Sequence, residues 1–181
     1  MNEYIKNILV LFFITLAVAL LLSVAHNLIN NIPSVTNEKD QLTSAREQVI
    51  SGLSYTKEEA SQNVWTYYQT DEKQIETIVG FAVLVNGPGY GGDIELVVGL
   101  DSNYKVLGIN ILSHHETPGL GASAIKSLIP QFISKSGPFQ ISENPNQESE
   151  IQGITGATIT TKAITDIVNN AIELAKVKSK G

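Results

Sequence analysis

The sequence predicts an α+β protein: one N-terminal transmembrane helix, then a single extracytoplasmic domain with a mainly antiparallel sheet and flanking helices. Three observations predict it. Ile8 to Val24 is an unbroken apolar run without charge, Gly or Pro. Three short β-branched runs between 78 and 112 are separated by loop and turn residues. Thr160 to Lys176 repeats apolar residues at helical spacing. A chain of 181 residues accommodates one folded domain plus a short extra element. The expected division is residues 1–25 as membrane anchor, 26–55 as juxtamembrane linker and helix, and 56–181 as the folded domain.

The anchor comes first. With Ile5 and its flanks, the apolar run approaches the roughly 20 residues a membrane helix needs. Lys6 precedes it, and no Lys or Arg follows until Lys39. The positive-inside rule therefore places the N-terminus in the cytoplasm and the bulk of the chain outside. Ser23-Val24-Ala25 also resembles a signal-peptidase site, but the run exceeds the roughly 7–15 residue core of a cleaved signal. An uncleaved, single-pass anchor in the cell (inner) membrane is the expectation.

Next, His26 to Asn37, with Asn27, Asn30, Asn31 and Pro33, reads as a linker. Glu38 to about Ile50 reads as a helix that breaks at Ser51-Gly52. Thr56-Lys57-Glu58-Glu59 has the form of a helix start, and Asp71 to Gln74 that of a charged turn. Strands are expected over Ile78–Val85, Ile94–Leu100 and Lys105–Leu112. A glycine-rich loop, Asn86 to Gly92, joins the first two, and the hairpin turn Asp101-Ser102-Asn103 joins the second pair. Gly119 to Leu128 reads as a short helix and Ser136 to Gln152 as loop. In the last helix Ile164, Ile167, Val168, Ala171, Ile172 and Ala175 follow the i, i+3, i+4 pattern. Asp166 near its start and Lys176 and Lys178 at its end complement its dipole.

Composition narrows the chemistry. The chain has no Cys and a net charge of −6. The missing thiols exclude disulfides, thiolate-ligated iron–sulfur clusters and thioether-linked haem. The acidic balance argues against a nucleic-acid partner. Three histidines are too few for a convincing transition-metal cluster, and adjacent His114 and His115 would point to opposite sides of a strand. No metal site is expected. Any redox step falls to an organic cofactor.

Three segments are candidates for ligand chemistry. The first is Gln152 to Thr161, at the mouth of the last helix. Gly156 and Ala157 let a bulky group approach the backbone, and Thr155, Thr158, Thr160 and Thr161 supply hydroxyls. A helix N-terminus offers unpaired N–H groups to a phosphate. The same residues also suit a plain N-cap with a tight turn. The second is His114-His115-Glu116-Thr117-Pro118-Gly119-Leu120-Gly121, where Pro118-Gly119 enforces a turn and Gly121 admits close backbone approach. The third, Gly87 to Asp93, is a glycine-rich scaffold loop. Trp65, Tyr67 and Tyr90 are aromatics for either core or pocket.

Thr155-Gly156-Ala157-Thr158, Glu116-Thr117-Pro118-Gly119-Leu120-Gly121 and Gly89-Tyr90-Gly91-Gly92 resemble the signatures of the FMN-binding domain family. The resemblance covers roughly Val64 to the end. It implies that Thr158 carries FMN through a phosphoester, with no catalytic residue of the chain's own. It also implies that backbone amides near Thr155, Gly156 and Ala157, with Glu116 and Thr117, hold the ring and its ribityl chain. Glu116, Thr117, Gly119, Leu120 and Gly121 then flank the ring, Glu116 as a hydrogen-bonding group. The family motif commonly carries an upstream Asp where Gln152 stands here. With the anchor added, the chain is similar to the G-subunit family of Rnf-type ion-translocating ferredoxin:NAD oxidoreductases, relatives of the C subunit of sodium-pumping NADH:quinone oxidoreductases. That implies an electron-carrying subunit partnered by other membrane subunits of such a complex and, during maturation, by a flavin transferase. The alternatives are an anchored module for a phosphorylated ligand, or a flavoprotein of another electron-export chain.

Overall fold

The computed structural model describes residues 3–31 and 38–180, which fall into two units divided at Glu38. The first is a single helix, α1 (Glu3–Asn31). Its window Lys6–Ser23 is long and apolar enough to cross a membrane. Inside the run, the hydroxyl of Thr15 donates back to the carbonyls of Leu11 and Phe12 at 3.1 and 3.0 Å, so the helix satisfies that polar atom internally. The linker expected over His26–Asn37 is helix as far as Asn31; its remainder, 32–37, lies outside the described residues.

The second unit is a five-stranded antiparallel sheet, order β1-β2-β3-β4-β5, formed by consecutive hairpins. The strands are β1 (Lys57–Ser61), β2 (Val64–Thr70), β3 (Glu76–Pro88), β4 (Asp93–Asp101) and β5 (Val106–His114). Thr56 to Glu59, expected to begin a helix, instead enters β1, which pairs with β2 across Lys57↔Tyr68 to Ser61↔Val64. Its acidic residues occur on an exposed edge strand, and the pairing is decided by β2 rather than by the local capping signal. The turn at Asp71 is as expected: its carboxylate accepts from the amides of Lys73 and Ile75 at 2.9 and 2.8 Å. Asp101 caps the β4–β5 turn in the same manner, accepting from Asn103 and Lys105 at 2.8 Å each.

Period-two alternation puts each strand's side chains on two faces. On one face Phe81, Val83, Val85, Ile94, Leu96, Val98 and Leu100 meet α3 (Gly121–Phe132) and α4 (Thr158–Lys180) in one continuous core. All six α4 positions expected to face inward are buried. On the other face Tyr67, Ala82 and Val97 pack on Ala45, Val49 and Ile50 of the C-terminal part and end of α2 (Glu38–Val49). The segment read as loop, Ser136 to Gln152, contains two short parallel strands, β6 (Gln140–Ser142) and β7 (Glu150–Gln152). Asn169 of α4 ties this ribbon down, accepting from Phe139 N at 2.7 Å and donating to its carbonyl at 2.9 Å.

Candidate functional site: a cavity at the start of the last helix

The site forms where three chain segments converge at the N-terminal end of α4. Gln131 of α3 holds β7 by accepting from Gln152 N at 2.7 Å, which fixes the departure of the segment leading to the helix. That segment turns at Gly156, whose φ of +80° is left-handed backbone that favours glycine. The Ala157 amide closes the turn onto Ile154 O at 3.0 Å. Thr161 then fastens the helix start from inside: its hydroxyl donates to Ala157 O at 3.0 Å and accepts from Ile154 N at 3.3 Å. The first-turn amides of an α-helix have no intrahelical acceptor and carry the positive end of its dipole.

The opposite wall comes from the β5–α3 connection and the β3–β4 loop. Thr117 O accepts from Leu120 N and Ala122 N, both at 3.2 Å, and so shapes the turn into α3. Between the walls lies a cavity of ≈ 360 Å³ lined by Tyr90, Glu116, Thr117, Leu120, Gly121 and residues 156–160. Leu120, Ile159 and Tyr90, all more than half exposed, give it apolar surface, beside the hydroxyls of Thr117, Thr158 and Thr160. That size falls in the range of small-molecule and cofactor sites.

Glu116 is the electrostatic centre of the arrangement, at only 4% exposed. One carboxylate oxygen, Oε1, accepts from Tyr90 N at 2.6 Å and Gly91 N at 3.2 Å. Its other, Oε2, accepts from the buried Thr160 hydroxyl at 2.6 Å. Burial alone would raise its pKa. The hydrogen bonds from Thr160, Gly91 and Tyr90, with His114 nearby, outweigh burial and hold the carboxyl below its ordinary value. Glu116 is therefore an ionised acceptor whose bonds go to the protein itself.

Of the residues singled out in the sequence, Glu116, Thr117, Leu120, Gly121, Gly156, Ala157 and Thr158 come together around this cavity. Thr158 and Thr117 are exposed, so their hydroxyls are accessible. Thr155 faces a neighbouring cavity of ≈ 230 Å³, which Thr158 also lines. Gly119 lies outside both, in open space with φ +79°. His114 and His115 line a separate groove against α3. Thr160, one of the four hydroxyls of the Gln152–Thr161 segment, lines the cavity too, as does Ile159, which the sequence marked only by its place within that segment. Tyr67 is core and Trp65 half-buried on the α2 side, whereas Tyr90 belongs to the cavity.

Residues 89–173 match the FMN-binding domain family. Over 97 residues the chain is 42% identical to the G subunit of the proton-translocating ferredoxin:NAD(+) oxidoreductase complex of Clostridium ljungdahlii, covering 52% of each chain. It is 38% identical over 109 residues to the G subunit of the Na(+)-translocating ferredoxin:NAD(+) oxidoreductase complex of Acetobacterium woodii, covering 57% of this chain and 52% of the relative. The chain thus spans about half the length of the curated relatives it matches. Among solved structures, NqrC of Shewanella oneidensis is similar at a TM-score of 0.47 and 16% identity, over 60% of this chain and 54% of that one.

Proposed function

We propose that this chain, whose residues 89–173 match the FMN-binding domain family, is a membrane-anchored electron-carrying subunit of an Rnf-type ferredoxin:NAD oxidoreductase, with FMN joined covalently to Thr158. The observation that carries the reading is the placement of the accessible Thr158 on the first turn of α4, in the wall of the ≈ 360 Å³ cavity.

The residues present fit the group. A phosphate esterified to Thr158 would meet the free amides of a helix N-terminus, where negative charge is favoured. Gly156 and Ala157 leave the approach open, and Thr155 offers a further hydroxyl beside Thr158. Leu120, Ile159 and Tyr90 supply apolar surface for a planar ring, with Thr117 and Gly121 beside them. FMN when bound supplies the one- and two-electron chemistry; the chain holds it, limits its contact with water and tunes it. Covalent attachment keeps the cofactor on the extracytoplasmic side, the side the charge asymmetry about α1 favours for residues 38–181. A flavin transferase is the maturation partner. Other membrane subunits of the complex are the electron-transfer partners, an assignment supported by the names of the relatives.

The test is expression with and without a flavin transferase, followed by denaturing electrophoresis. Fluorescence on the protein band that depends on the transferase and disappears in Thr158→Ala is the expected result. A dark wild-type band beside a flavinylated control protein refutes the covalent carrier and favours a module for another phosphorylated ligand.

A further inference from the structure

Glu116 is the only charged side chain among the buried residues described, and its three hydrogen bonds join segments far apart in sequence. Tyr90 and Gly91 lie 26 and 25 residues before it, and Thr160 lies 44 residues after it. Two neighbouring glycines approach the carboxylate closely as well. A Cβ on Gly89 would strike Oε1 and a Cβ on Gly121 would strike Oε2. The glycines on both sides thus leave the space that this carboxylate occupies. Both oxygens are already engaged with donors of the protein, Oε1 with two and Oε2 with one.

From this geometry, and resting on the FMN reading above, we infer that Glu116 is a positioning residue for the flavin. Its carboxylate fastens the Tyr90 loop to the first turn of α4 and sets a fixed negative charge in the cavity wall. It acts on FMN through those two elements and through its field. Tyr90 is 67% exposed, so the grip of Glu116 on the Tyr90 and Gly91 amides is a principal restraint on that side of the cavity. Thr160 shares its helical turn with Thr158, so the Thr160–Glu116 bond sets the register of the attachment hydroxyl against the opposite wall. A negative charge beside a redox centre disfavours the arrival of an electron, so a buried carboxylate here holds the flavin's reduction potential down. The lowered pKa of Glu116 is consistent with that charge being permanent at neutral pH.

The test uses the full chain in detergent with FMN attached, as wild type, Glu116→Gln and Thr160→Val. Loading is verified by fluorescence on the denatured band, and each protein is followed by redox titration and visible circular dichroism. Glu116→Gln keeps the shape and removes the charge; the midpoint potential is expected to rise and the flavin dichroism to change. Thr160→Val keeps the charge and frees the helix turn; its dichroism is expected to change with a smaller shift in potential. Loaded variants that match wild type in both readouts would overturn the inference while leaving the FMN reading intact. If Glu116→Gln is not recovered folded, Thr160→Val decides alone: altered dichroism supports the inference and wild-type dichroism overturns it. A dark wild-type band overturns the FMN reading, and the inference with it.

Discussion

The two faces of the sheet are built differently, and the site occurs on only one of them. The face under α3 and α4 is a thick aliphatic core in which Leu96, Val98, Leu100, Leu128, Ile164 and Val168 are fully buried. The face under α2 is thin. Its helix approaches the sheet closely because Gly99 and Gly108, cross-strand partners, leave space for the Val49 backbone. Its edge is finished by Arg46, which stacks 4.5 Å over Trp65 and pairs with Glu58. A cofactor site needs supports that do not move. The N-terminus of α4 has such support, because the rest of the helix is anchored in the thick core. Thr158 can therefore stay exposed without being loose.

The largest effect expected is chemical. Thr158→Ala should eliminate covalent flavin while thermal unfolding of the flavin-free protein stays unchanged within error, because the side chain is exposed. A marked loss of stability in that variant would show that site and core are not separable. Next, Leu128→Ala should destabilise the domain by about 2–5 kcal/mol, as a fully buried leucine on the thick face leaves a cavity; denaturant unfolding measures it. On the thin face, Gly99→Val should cost about 1–3 kcal/mol through overpacking against Val49. Trp65 is the sole tryptophan, so its fluorescence should shift to the red as α2 is displaced. Covalent flavin should persist in that variant; its disappearance would break the separation of the two faces.

The smallest effect concerns acid. The Glu116 carboxyl is held below its ordinary value in the folded protein, so the unfolded chain binds more protons in the window between the two values. Glu116 thus contributes stability that is present above the ordinary carboxylate range and is lost as pH falls through the lowered folded value. The difference in melting temperature between wild type and Glu116→Gln should be constant near neutrality and shrink only in acid. A difference growing toward low pH would reverse the sign and contradict the hydrogen-bond pattern.

How far the sequence could be read depended on how local each feature is. The strands β3 to β5 and the inward stripe of α4 were legible, because alternation and helical spacing are written along a few residues. The β1–β2 hairpin was not. Lys57-Glu58-Glu59 carries a helix-start signal, and only the register with Tyr68, Tyr67 and Thr66 makes it a strand. Nor were β6 and β7, each of three residues, too short for any periodicity. At the site, the Thr-Gly-Ala-Thr turn, the Glu116–Gly121 loop and the glycine-rich loop could each be picked out by residue type and by family resemblance. Their meeting could not, and neither could the exclusion of Gly119 or the inclusion of Ile159.

The sequence alone therefore determined the apolar length of α1, the alternating strands, the buried stripe of α4 and the threonine and glycine placed at its start. These follow from steric and solvent preferences acting over one or two turns of chain. Tertiary structure alone decided that Glu116 spends its carboxylate on Tyr90, Gly91 and Thr160, and that α2 settles against a pair of glycines. Those contacts span 25 to 44 residues for Glu116. A buried charge takes whichever donors the folded chain brings within reach, and no local pattern encodes which donors those will be.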